Sequence, residues 1–230
     1  MARLTYPRAG EPLPAALPPA ERTVGQLVAE SIRFYGDHFR RSLLLGIAPA
    51  VLVVVDTHVS KITVLVLSPT LTAALVTASY VGASVLVLDR RPSNRRLAIA
   101  WLAGLLVFIP ATFLLFLFIL PALAWLAAFG LVVPVLVVEE VRPRAALART
   151  WQLARADYVH ALGSLATLAI VVLLTQGMLA FILRGSGGTA LSTAFFLANV
   201  VISPLLFIGS ALLYVDQSAR VARPGEAGVK

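Results

Sequence analysis

Residues 97 to 138 carry no charged side chain. As one helix, rising 1.5 Å per residue, they would reach about 60 Å, roughly twice the ~30 Å hydrocarbon thickness of a bilayer. The run must therefore turn back, and "FILPALAW" offers the place, because Pro121 has no backbone N–H to give a continuing helix. Such a segment needs an apolar solvent. The 230-residue chain agrees throughout: 59% is hydrophobic and 13% charged, with mean hydropathy +0.90, against about 45–50% and about 25% in soluble domains.

Six stretches are long and apolar enough to span: Ser42–Val59, Ile62–Leu88, Leu97–Ile119, Ala122–Val138, Ala161–Leu183 and Leu191–Val215. The first has the shortest charge-free core, ending at Val55 before Asp56 and His58. Arginine placement sets the orientation. With six spans, one side receives residues 1–41, 89–96, 139–160 and 216–230 and seventeen lysines and arginines, while the other receives only Lys61 and Arg184. Lys and Arg collect in short cytoplasmic loops, so the sequence predicts a multi-pass inner-membrane protein with both termini cytoplasmic. The +8 net charge then reflects topology and attraction to anionic lipid, not nucleic-acid binding.

Two segments have amphipathic helical spacing. From Thr23, a potential cap, Val24, Leu27, Val28, Ile32, Phe34, Tyr35 and Phe39 share one arc, opposite Gln26, Glu30, Arg33, Asp37, Arg40 and Arg41. In "RPRAALARTWQLARADYVHAL", Leu147, Trp151, Ala154, Tyr158 and Leu162 form a narrower stripe. Both read as interfacial helices on the cytoplasmic side. The predicted fold is thus all-α: a polytopic membrane helical bundle of about six transmembrane helices plus two interfacial ones. It forms a single domain over 21–220, between a disordered, Pro-rich tail (1–20) and a short tail (221–230).

Phe39 stands in one amphipathic segment where Tyr158 stands in the other, and Leu43 where Leu162 does. Two spans follow each, then "LVLDRR" or "LLYVDQSAR". This suggests a parallel internal repeat of units 22–91 and 143–220, with the 97–138 hairpin between them.

Catalytic and metal chemistry find little support. The chain has no cysteine, so disulfides and thiolate chemistry are excluded. The first 41 residues hold six arginines and no apolar run, so no cleavable secretory signal is expected. His38, His58 and His160 have no metal-ligand spacing, and no HExxH, P-loop or GxSxG occurs. Glu139 and Glu140 read as exit markers that pair locally with Arg142 and Arg144. "RGSGGT" (184–189) is a turn between spans. Gln176 and Asn199 fall inside spans, where an amide usually bonds to a neighbouring helix. Pro49, Pro69, Pro110, Pro134 and Pro204 could kink spans, and no full charge is placed beside them.

The pattern "GLVVPVLVVEEVRPRAALARTWQLARADY", the entry segment "TVGQLVAESIRFYGDHFRR" and the closing "LLYVDQSAR" resemble bacterial integral membrane proteins related to the glycerophosphoryl diester phosphodiesterase membrane domain. The resemblance covers roughly 22–220. It implies a multi-spanning helical domain that is sometimes fused to a phosphodiesterase domain and often stands alone, and it brings no catalytic residues. Where those relatives have a tyrosine–aspartate pair followed by arginine, this chain has Tyr214, Asp216 and Arg220 with Gln217 between.

The functional expectation is a non-catalytic membrane module without cofactors. It would bind anionic lipid or a membrane protein partner through Arg33, Arg40, Arg41, Arg90, Arg91, Arg149 and Arg155. The alternative is a small transporter or channel-like protein built on the repeat, with Gln176 and Asn199 as intramembrane contacts. A buried Asp, Glu or Arg would favour transport, and the sequence places none.

Overall fold

In the computed structural model, residues 17–58, 61–185 and 187–222 are described, with the side chains of 53–67 and of residue 116 left out. The terminal tails expected over 1–20 and 221–230 lie largely outside the described residues. A 3-10 turn (Pro19–Glu21) leads into α1 (Val24–Asp37), α2 (Phe39–His58), α3 (Lys61–Val87), α4 (Asn94–Leu117), α5 (Ile119–Phe129), α6 (Val132–Val138), α7 (Pro143–Ala156), α8 (Tyr158–Ile182) and α9 (Gly188–Ala222). No strand occurs among the described residues.

Five segments are long and apolar enough to cross a bilayer: Ser68–Val87, Asn94–Leu115, Ile119–Val138, Tyr158–Ile182 and Gly188–Ala222. The sixth stretch, Ser42–Val59, falls on α2, whose side chains beyond Leu52 are outside the description. The charge-free run folds back as its length requires. α4 stops at Leu117, Phe118 is extended (φ −158°, ψ 141°), and α5 restarts at Ile119. Pro121 then sits in the first turn of α5, where no N–H is needed.

The span after this turn is not one helix. It breaks at Gly130 and Leu131 between α5 and α6. Pro134 explains the break: its ring would meet the carbonyl four residues back, that of Gly130, so the helix restarts with proline in its first turn.

Thr23 caps α1 as expected, in a reciprocal capping box. Its Oγ1 accepts from the Gln26 amide (3.4 Å), and its own amide donates to Gln26 Oε1 (2.9 Å). α1 does not lie alone on a surface. It runs antiparallel along α9, with Arg22 at Asp216 (3.1 Å) and the Tyr35 hydroxyl donating to the Val201 carbonyl (2.9 Å), and it also packs on α8. Leu27 and Ser31 are fully buried on this face, while Ile32 and Phe39 from the expected apolar arc stay exposed.

The second amphipathic segment is likewise two helices. Asp157 (φ −157°, ψ 82°) ends α7, and its carboxylate accepts from the His160 amide (2.9 Å) to start α8, so Tyr158 and Leu162 belong to a different helix from Leu147 and Trp151. α7 buries Ala146, Thr150, Leu153 and Ala154, leaving Leu147 and Trp151 partly exposed. Of the expected stripe, Ala154 is buried and Trp151 stacks on Phe129 (ring centres 5.8 Å apart), while Ala146, Thr150 and Leu153 are buried beside it.

Candidate functional site at the basic end of the bundle

Ion pairs gather distant segments at one end of the bundle. Glu140, just after α6, pairs with Arg96 at the start of α4 (3.1 Å). Glu139 accepts from Arg149 Nε on α7 (3.1 Å) and from the Tyr214 hydroxyl on α9 (3.1 Å). The expected pairing of these glutamates with Arg142 and Arg144 is therefore corrected. Glu140 takes a left-handed conformation (φ 54°) that turns the chain, and α7 then folds back to bring Arg149 over Glu139.

The end of α9 is a polar hub. Asp216 is 0% exposed and bound to Arg22. Its second oxygen lies 3.8 Å from His160 Nε2, too long for a hydrogen bond. Gln217, also fully buried, donates to the Asp157 carbonyl (2.8 Å). Arg220 pairs with the Asp157 carboxylate and donates to the Arg22 carbonyl (2.8 Å). Consecutive turns of α9 thus reach Asp157 at the α7–α8 junction and Arg22 in the segment before α1. The sequence reading found no buried charge; Asp216 is one. Hydropathy hides it, because an acid at the end of an apolar run followed by Gln, Ser and Arg reads as the point where a helix leaves the membrane.

The candidate surface residues divide into free and engaged. Arg33, Arg40, Arg41, Arg90 and Arg91 are exposed. Leu45 packs on Gly82, which sets the start of α2, with Arg40 and Arg41, beside the end of α3, with Arg90 and Arg91. Arg149 is half-buried on Glu139, and Arg155 stacks over Trp151, 4.7 Å from the ring centre. Gln176 is half-buried on α8. Asn199 does not bridge helices through its amide nitrogen, which donates to the Phe195 carbonyl of its own helix (2.9 Å).

Sequence reasoning missed an open cavity of about 390 Å³ between the first turn of α4 and the loop leading into α7, lined by Ser93, Arg95, Arg96, Glu140, Arg142 and Pro143 among others. Neither Ser93 nor Arg142 caps its helix with a side chain, so amide N–H groups at both helix starts lack an intrahelical partner. Arg96 is shared with Glu140, whereas Arg95 and Arg142 have no carboxylate partner among the described residues. Guanidinium groups pair with phosphate and carboxylate and helix starts favour negative charge; here the Glu140 carboxylate already occupies part of the lining. The missed signal was the pair of short loops "RRPSNRR" and "EEVRPR", each with proline and arginine just before a helix. No family model, no curated protein and no solved structure matches this chain.

Proposed function

We propose that this chain is a non-catalytic, multi-pass inner-membrane module. Both termini would be cytoplasmic, α2 would act as a sixth span, and the basic end would bind the anionic headgroups of membrane lipid. The observation that supports this most is the cavity holding Arg95, Arg96 and Arg142 at the starts of α4 and α7. Around it Arg90 and Arg91 are exposed, and each basic residue near an anionic leaflet contributes about 1 kcal/mol. Leu147 and Trp151, half-exposed on α7, suit the interfacial zone at the same level. The resemblance to glycerophosphoryl diester phosphodiesterase membrane domains and the parallel repeat belong to this reading. In its favour, both units open with a short helix separated by one non-helical residue, His38 or Asp157, from a long one.

Transport is the second reading, and Asp216 favours it as a buried carboxylate. Against it, Asp216 is held by Arg22 at the end of the bundle, where an ion pair can serve to join segments.

The test uses the full chain purified in mild detergent, with retained lipids counted by native mass spectrometry. Wild type is expected to keep anionic phospholipid in preference to phosphatidylethanolamine. Arg95→Gln with Arg142→Gln should lower that preference by about tenfold or more while the protein stays folded. An unchanged preference in the folded variant overturns headgroup binding, and a retained acidic protein in place of lipid points to a partner protein.

A further inference from the structure

The centre of the bundle holds a second cavity, of about 260 Å³, which runs from Ser210, one turn before Tyr214 on α9, to Leu115 and Ile119 at the α4–α5 turn. All five span-length segments wall it: Val76 and Tyr80 from α3, Ala111 from α4, Leu123 from α5, Ala169 from α8 and Phe207 from α9 are among its lining residues. It exists because α8 packs closely on α5 and α9 and not on α3 or α4. Its rim includes Leu115, Ile119 and Leu173, each about half exposed on the lipid-facing surface, so the cavity opens sideways between the α4–α5 turn and α8.

We infer that this cavity holds one hydrocarbon chain of a membrane lipid. The lining decides the ligand class. Three of its four hydroxyl side chains are already committed to backbone carbonyls: Tyr80 to Ser210 (3.3 Å), Ser210 to Leu206 (2.7 Å), and Thr112 to Ile109 (2.8 Å) and Pro69 (3.2 Å); the fourth is Thr72. A single threonine hydroxyl in a wall otherwise built from apolar side chains is too little to orient a polar ligand, and apolar cavities stay dry, which disfavours water as the occupant. Its volume lies below the roughly 300–1,000 Å³ of sites that enclose whole drug-sized molecules, which fits one chain and no headgroup. The bilayer supplies that chain at the mouth. No hydrophobic gain separates the bilayer from the cavity, so the chain is held by packing. An empty cavity forfeits dispersion contacts on every wall, and a flexible chain restores them.

This inference rests on the membrane reading and not on headgroup binding, and its test separates the two. The full chain is reconstituted in vesicles of phosphatidylethanolamine or phosphatidylglycerol carrying a photoreactive diazirine in the acyl chain, and the crosslinked peptides are identified. Labels are expected on Leu123, Ala169 and Phe207, equally for both headgroups. Ala169→Phe, which fills the space, should cut this labelling roughly fivefold. Leu174→Phe, on the exposed side of α8, should leave it unchanged. If Ala169→Phe does not yield folded protein, Ala169→Leu must show a smaller loss. Labelling confined to outward residues such as Leu174 and Met178, or labelling that a folded filling variant does not reduce, overturns the proposal. Loss of anionic preference in Arg95 and Arg142 variants with the cavity labels intact would leave the chain site standing.

Discussion

Arg22 and Asp216, 194 residues apart, are joined at 3.1 Å with the carboxylate fully buried, so the segment entering α1 is fastened to the far end of α9. Removing one partner of a buried pair leaves the other charge uncompensated, a loss of about 3–5 kcal/mol. We therefore expect Asp216→Ala to lower thermal stability in detergent sharply and to open the peptide before α1 to protease. Arg22→Met combined with Asp216→Leu should recover much of this, because no lone charge then remains. A double variant no more stable than Asp216→Ala would show that Asp216 matters for something other than this pair.

Tyr214 tests the second junction. Its hydroxyl donates to Glu139, which is also bound to Arg149. Hydrogen bonds to a charged group contribute about 1.5–3 kcal/mol, so Tyr214→Phe should cost about that much. Arg149→Gln should cost less, since that side chain is 30% exposed and water can replace part of the pair. The measurement is the unfolding midpoint in a denaturant series. A larger loss for Arg149→Gln than for Tyr214→Phe would contradict this ranking.

Local signals account for what could be read in the sequence. The reversal near Phe118 followed from length and Pro121, and the capping of α1 from Thr23 and Gln26. Phe39 and Tyr158, matched by spacing, each begin a long helix. What stayed hidden depends on contacts between distant segments. Glu139 has one partner on the next helix, Arg149, and another 75 residues on, Tyr214, and the Arg22 partner of Asp216 lies nearly a whole chain away. Asp216 and Arg220 have the i, i+4 spacing of a local pair, yet each bonds elsewhere, because α9 is surrounded by other helices at that level. The Gly130 break was hidden for a different reason. Of the prolines expected to kink spans, Pro49, Pro69, Pro110 and Pro204 sit inside continuous helices, and only Pro134 coincides with a glycine whose chain turns.

Topology is checked by reporter fusions. The pairs Arg96–Glu140, Arg149–Glu139 and Arg220–Asp157 require residues 96, 139–157 and 220 to share one side. Fusions at Ser93 and Ala145 should therefore report the same side, which is the cytoplasm in the proposed orientation, and fusions near Phe118 the opposite side. A report of opposite sides from Ser93 and Ala145 would be incompatible with the Arg96–Glu140 pair.

The approach of α2 to α9 supplies the last expectation. Pro204 has no N–H, so the Val200 carbonyl four residues before it loses its helical donor. Gly46 lies directly on that carbonyl, and a Cβ at this position would collide with the Val200 backbone, which cannot swing away as a side chain could. A small residue is what lets two membrane helices come this close. We expect Gly46→Ala to cost about 1–3 kcal/mol, the range for forcing extra volume into a packed site, and Gly46→Leu to separate α2 from α9. Gly177 is the control: it lies within α8 with nothing within 4 Å of a Cβ, so Gly177→Ala should gain about 0.5–1 kcal/mol from helix preference alone. Thermal midpoints of the two alanine variants, measured in the same detergent, should move in opposite directions. Equal midpoints would mean that α2 does not sit against Val200 in the membrane-embedded protein.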